Sequence, residues 1–199
     1  MLCFIQGFTG GFGICLGQRF GAQDTPGMRR SVAVSWGLSL VFTVAVTALT
    51  CGLTHQILHW MQTPDSIYQD AYDYMFVVLL GTGATVFYNM ISNMLRALGD
   101  SRTPLVFLVF SALLNVVLDV VFIVPFQMGV AGAAWATVVS QFLSAALCTV
   151  VGVKKFEVLR TRRSDLAGWQ KAAWQHLRIG FPMGFQMSVM CIGQLAMQA

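Results

Sequence analysis

A carboxylate inside an apolar run is the first feature of this sequence that calls for a chemical explanation. Asp119 lies in Pro104 to Val124, PLVFLVFSALLNVVLDVVFIV, with Asn115 four residues before it and no charged neighbour in the run. Placing Asp at the middle of a membrane helix costs about 2.5 to 3.5 kcal/mol, so such a group is expected to face a protein interior or a wet cavity. On a helix, the spacing Ser111, Asn115, Asp119 sets three polar groups on one face, and Ala133, Thr137, Gln141 and Ser144 form a stripe in the next apolar run. Asp119 is ~8 Å from the Val124 end of its helix and Thr137 ~10 Å from the Val130 end of the next. The two depths match, which predicts a small pocket of carboxylate, amide and hydroxyl oxygens between neighbouring helices.

The other polar groups ask for less. Ser35, Ser39, Thr43, Thr47 and Thr50 make one stripe and Thr82, Thr85, Asn89 and Asn93 another, both read as interhelical hydrogen-bonding groups. Asp73, between Tyr72 and Tyr74, reads as a headgroup-level charge. The five cysteines are scattered, with no CxxC pair, and are expected to be packing residues facing lipid or core. His55, His59 and His176 are expected in connections, so no metal site is predicted. The apolar runs hold no His, no Glu and no second deeply placed Asp, which leaves an intramembrane enzyme without a nucleophile and base.

Composition states what must position these residues. Hydrophobic residues make up 56% of the 199 and charged ones only 10%, with a mean hydropathy of +0.69. A soluble domain carries ~25% charged residues. A lipid bilayer is therefore the expected surroundings, and the pI near 9.0 reflects loop charge, with no nucleic-acid partner expected. Apolar spans are predicted from Met1 to about Leu16, over Ser31–Leu53, Ala71–Leu95, Pro104–Val124 and Val130–Val153, and from Ile179 onward. Gly7-x-x-x-Gly11 and Gly13-x-x-x-Gly17 would let another helix approach the first span closely. The start of the chain has no basic leader and no small-residue cleavage site, so no signal peptide is expected.

Between the spans, Thr54–Asp70 reads as an interfacial connection and Leu98–Thr103 as a tight reversal, with Pro104 opening the following helix. Lys154–Arg178 holds seven of the 12 basic residues. Within it Leu166, Trp169, Ala173, Trp174 and Leu177 recur at helical spacing. This is either an amphipathic helix on the membrane surface or a linker helix packed under the bundle. Arg19, Arg29 and Arg30 fall in the first connection, Arg96 and Arg102 in the third and the remaining seven in the fifth. Alternating spans put all twelve on one side, which the positive-inside rule makes cytoplasmic.

Several motifs in the same order then carry a family resemblance: Gly17-Gln18-Arg19-Phe20-Gly21-Ala22-Gln23-Asp24, Leu95-Arg96-Ala97-Leu98-Gly99-Asp100-Ser101-Arg102-Thr103-Pro104, Ala112-Leu113-Leu114-Asn115 with Asp119, and Gly129-Val130-Ala131-Gly132-Ala133-Ala134 with Ala136-Thr137. Together they resemble the MATE multidrug and toxic compound extrusion transporters, with Asp at 119 similar to the DinF-like branch. The resemblance implies an all-α, polytopic transmembrane helix bundle, part of a twelve-helix, two-lobe antiporter fold, running from the second helix to the start of the seventh. Residues 1–153 would be the amino-terminal lobe without its first helix, 154–178 the cytoplasmic interlobe linker, and 179–199 the start of the second lobe.

It further implies ion-coupled export of cationic, aromatic drugs or metabolites across the inner membrane, with Na+ or H+ as the coupling ion and no other cofactor. Asn115, Asp119 and Thr137 match the family's cation-site positions on the fifth and sixth helices, and Ala133 would add a carbonyl. The family's first-helix aspartate has no counterpart here, so the remaining helices of the full-length transporter are implied partners. Two alternatives stay open. One is a lipid-linked oligosaccharide flippase of the same superfamily, although the spans lack the basic residues that would meet pyrophosphate. The other is a fragment that packs without transporting.

Overall fold

The computed structural model describes residues 2–60, 68–127, 129–161 and 168–198, and all regular structure among them is helical. The described helices are α1 (Leu2–Gly21), α2 (Thr25–Trp60), α3 (Tyr68–Leu80), α4 (Thr82–Ala97), α5 (Arg102–Ile123), α6 (Gly129–Lys155) and α7 (Trp169–Gln198), with a 3-10 turn at Glu157–Leu159. Among the described residues four stretches are long and apolar enough to cross a membrane: Thr25–Thr50, Tyr74–Ala97, Arg102–Ile123 and Gly129–Lys155. In α5, none of the apolar window is buried; Val116, Val117 and Val120 are each more than half exposed. A surface of this kind suits hydrocarbon and not water.

Two compact units divide the chain. The first comprises Met1–Leu40, Asn89–Pro104 and Cys148–Ala199, the second Val41–Tyr88 and Leu105–Leu147. In the first unit α1 packs along α7 through small residues, as the Gly-x-x-x-Gly spacing predicts. A Cβ on Gly11 would lie 2.6 Å from Gly180 Cα, and one on Gly7 would strike the Met183 carbonyl. Phenylalanines close the seam, with Phe4 to Phe185 and Phe8 to Phe181 each 5.5 Å between ring centroids. The Gly11→Ala variant should therefore force the two backbones apart and cost roughly 1 to 3 kcal/mol. Detergent unfolding of the purified chain, compared with the exposed control Gly21→Ala, measures it.

The reversal between α4 and α5 is built as the sequence reading expects. Gly99 takes φ +88, a left-handed conformation that ends α4, while Asp100 N–H donates to Leu95 O at 2.8 Å. Asp100 then caps α5: Oδ1 accepts from Thr103 N–H at 3.1 Å and Oδ2 from Thr103 Oγ1 at 2.6 Å. Lys155, at the end of α6, closes on the same carboxylate at 2.7 Å. The lysine ammonium and the Thr103 hydroxyl hold the Asp100 carboxyl down at about 2. Asp100→Ala removes cap and ion pair together and should cost about 1 to 2 kcal/mol, read as a lower unfolding midpoint that Lys155→Ala reproduces only in part.

Two expectations, on the histidines and the cysteines, are corrected. The helical spacing from Trp169 and the apolar run from Ile179 lie on one helix, α7, with Pro182 inside it and Phe181 packed on Phe4 and Phe8. Its described inner face, Ala172 and Ala173, packs on Val34 and Leu38, while Trp169 and Trp174 stay exposed; Leu166 lies outside the described residues. The histidines do not sit in connections. His55 and His59 fall within α2 and His176 within α7, where its side chain is fully buried. Of the cysteines, Cys15 and Cys148 are buried packing residues, but Cys3 and Cys191 form a disulfide between α1 and α7, Cα atoms 6.7 Å apart. The side chains of Cys51 and Asp73 lie outside the description.

Candidate functional site

The predicted pocket residues lie in the second unit. Beyond its first turn, where Pro104 is buried, the partly shielded positions of α5 are Phe107, Ser111, Leu114, Asn115, Leu118, Asp119, Val121 and Phe122, a helical stripe in a helix otherwise open to its surroundings. A continuous apolar helix has no face preference of its own. The polar residues at 111, 115 and 119 supply one, since each is more favourable against protein than against hydrocarbon.

From that stripe Asn115 Nδ2 donates to Thr137 Oγ1 at 3.3 Å, and Thr137 Oγ1 donates to Ala133 O at 3.0 Å one turn earlier in α6. Three of the four residues expected at the site are thus joined in one hydrogen-bonded chain. Asp119, one turn beyond Asn115, is partly shielded, and its Oδ1 is enclosed with no hydrogen-bond partner. An enclosed carboxylate oxygen with no partner, one turn along α5 from Asn115, is a group suited to a hard monovalent cation or a proton.

The site extends farther than that quartet. Gln141 Oε1, one turn along α6 from Thr137, accepts a short hydrogen bond from Thr85 Oγ1 of α4, and Ser140 Oγ donates to Thr137 O at 3.0 Å. Both polar stripes are visible in the sequence; their joining is not, because the residues are 56 apart and helical periodicity gives a face without giving its neighbour. In α2, Thr43 Oγ1 and Thr47 Oγ1 are enclosed without hydrogen-bond partners, whereas Thr50 turns back onto Val46 O at 2.7 Å. Of the remaining stripe residues, Ser39 donates to Met90 Sδ at 2.9 Å and Asn93 to Thr9 Oγ1 at 3.4 Å, both within the first unit.

Comparison with known proteins gives a consistent result. The MatE family model matches residues 1–121. The chain is 34% identical over 206 residues to the probable multidrug resistance protein YpnP of Bacillus subtilis, covering 100% of this chain and 44% of that protein. It is 25% identical over 175 residues to DNA damage-inducible protein F of Escherichia coli, covering 88% of this chain and 37% of that one. Among solved structures, an outward-facing multidrug resistance MATE family transporter of the MOP superfamily superposes with a TM-score of 0.87 at 26% identity, over 97% of this chain and 43% of its own. The inward-facing conformation of such a transporter gives 0.79 at the same identity, over 96% and 44%. The chain spans less than half the length of these relatives.

Proposed function

The chain belongs to the MatE family, and on that premise we propose that it forms part of an ion-coupled antiporter that exports cationic, aromatic drugs or metabolites, with Asp119 as the coupling group. One observation carries this reading: Asp119 keeps an enclosed, unpaired carboxylate oxygen one turn from the Asn115–Thr137–Ala133 chain. A buried acid contributes little to helix packing that a neutral Asn would not, and its cost is offset where a cation or proton binds it. Competition of ion, proton and exported compound for that oxygen then biases two arrangements of the transporter. Asn115 and Thr137 orient the carboxylate or lend oxygens to the ion, and Ala133 lends its carbonyl.

The same proposal places the protein in the inner membrane with its basic connections cytoplasmic, residues 1–153 in the amino-terminal lobe, 154–178 in the linker and 179–199 in the second lobe. It assigns the chain no enzymatic step. Inverted vesicles carrying the full-length transporter test the coupling. A sodium or proton gradient, higher inside, should drive a cationic dye into the lumen, and one of the two ions should suffice. Dye movement indifferent to both gradients would overturn the antiport reading.

A further inference from the structure

The first unit contains a second polar site, of opposite charge. A cavity of ≈ 580 Å³ opens between the end of α1, the beginning of α2 and the first turns of α7, lined by Arg19, Arg30, Gln170, Lys171 and Trp174 with Gly168 at its edge. Among the described residues three cations line it and no carboxylate does. Arg19 is held in place there, donating from one terminal nitrogen to Gly27 O and from the other to Gln175 Oε1 at 2.9 Å. Arg30 Nε is enclosed without a hydrogen-bond partner. Among the described residues the ion pair at Asp100 engages Lys155, and none engages Arg19, Arg30 or Lys171.

The backbone adds to this. Gly168 at φ +74 turns the chain into α7, whose first amide N–H groups have no acceptor within the helix, so the positive end of a 30-residue helix meets the three cations. Trp174, 67% exposed, stands on the cavity wall, and Trp169, 52% exposed, lies one residue past Gly168. Indoles of this kind favour the boundary between headgroup and acyl chain. The cavity is larger than one phosphate fills, and its wall combines fixed cations with an exposed aromatic ring.

We propose that this cavity binds the phosphate headgroup of an anionic phospholipid, with Arg19, Arg30 and Lys171 on the phosphate and Trp174 against the glycerol and upper acyl chain. Basic pockets among membrane helices take anionic headgroups in this way. The site tethers the beginning of α7 to α1 and α2 through a lipid, and it stands independently of the export reading, since it uses none of the residues around Asp119.

Native mass spectrometry of the purified chain released from mixed phosphatidylglycerol and phosphatidylcholine micelles tests the assignment. A phosphatidylglycerol adduct should survive release in preference to phosphatidylcholine, and the Arg30→Gln/Lys171→Gln variant should weaken it about 30-fold, from two lost cations near the surface. The variant Arg30→Lys/Lys171→Arg should keep the adduct. Rising sodium chloride should strip it from the unaltered chain, an outcome that needs no variant to fold. Equal retention of both lipids, indifference to salt, or an undiminished adduct in the Gln variant with unchanged helical circular dichroism would overturn the proposal. Displacement of the lipid by inorganic phosphate would overturn it too, in favour of a soluble anion.

Discussion

Asp119→Asn in the full-length transporter should abolish gradient-driven export while leaving the protein folded and in the membrane. The substitution is nearly isosteric, and the oxygen it alters makes no hydrogen bond that would be lost. Asn115 still donates to Thr137, and Thr137 to Ala133. What disappears is the negative charge, the one property by which a sodium ion or proton distinguishes this pocket from the other polar stripes. Coupling between two ligands of one protein is typically worth a factor of about 5 to 150 in affinity, and the variant should forfeit it. Dye efflux measured against an imposed ion gradient should fall to the level of vesicles without transporter, while binding of dye in the absence of a gradient is retained. Thr137→Val, which removes one oxygen and leaves the carboxylate, should weaken ion dependence without abolishing it. Unchanged efflux and unchanged coupling in Asp119→Asn would remove Asp119 from the mechanism.

The polar face of α5 was legible because its determinants are local. Residues four apart on a helix share a face whatever lies opposite, and an acid among valines leaves few places to go. At ~1.5 Å per residue from the two helix ends Asp119 and Thr137 are expected at matching depth; the two helices do meet at Thr137, but the hydrogen bond comes from Asn115, one turn earlier on α5. Gly7 and Gly11 were legible for the same reason: small residues at that spacing admit a backbone, and the α7 backbone lies there at Gly180 and Gly184.

Whatever depends on which distant segment arrives was not legible. Cys3 and Cys191 are 188 residues apart, and no spacing rule links them. Which helix α7 packs on is equally unseen: Phe181, beside Pro182, meets Phe4 and Phe8 of α1. His176 illustrates the point most sharply. In sequence it stands among Gln175, Leu177 and Arg178 as an interfacial polar residue. In the fold, α1 closes over it, its ring 5.4 Å from that of Phe12, because the packing that seats Gly180 against α1 carries the preceding turn inward.

That burial predicts a dependence of stability on pH. His176 Nδ1–H donates to Ala172 O at 2.7 Å in the neutral tautomer, leaving Nε2 enclosed with no partner to receive a second proton's hydrogen bond. Loss of water around the ring, reinforced by the Arg19 guanidinium, pushes the imidazole down to about 4 from its ordinary value of 6.5, against the opposing pull of the Ala172 carbonyl. The folded protein therefore binds fewer protons than the unfolded chain between those values, and stability rises with pH across the interval. The contribution is complete above pH 6.5 and is lost as pH falls toward 4, at ~1.4 kcal/mol per unit and roughly 3 kcal/mol in all. Asp100 does not share this window, since Lys155 and Thr103 keep its carboxylate ionised until about pH 2. Unfolding of the chain in detergent at pH 7 and pH 4.5 should show the loss as a lower midpoint. His176→Phe, which keeps an aromatic edge against Phe12 and cannot ionise, should be less stable at pH 7 for want of the Ala172 bond and should change little between the two pH values. A variant that retains the full acid sensitivity would place its origin elsewhere than at this imidazole.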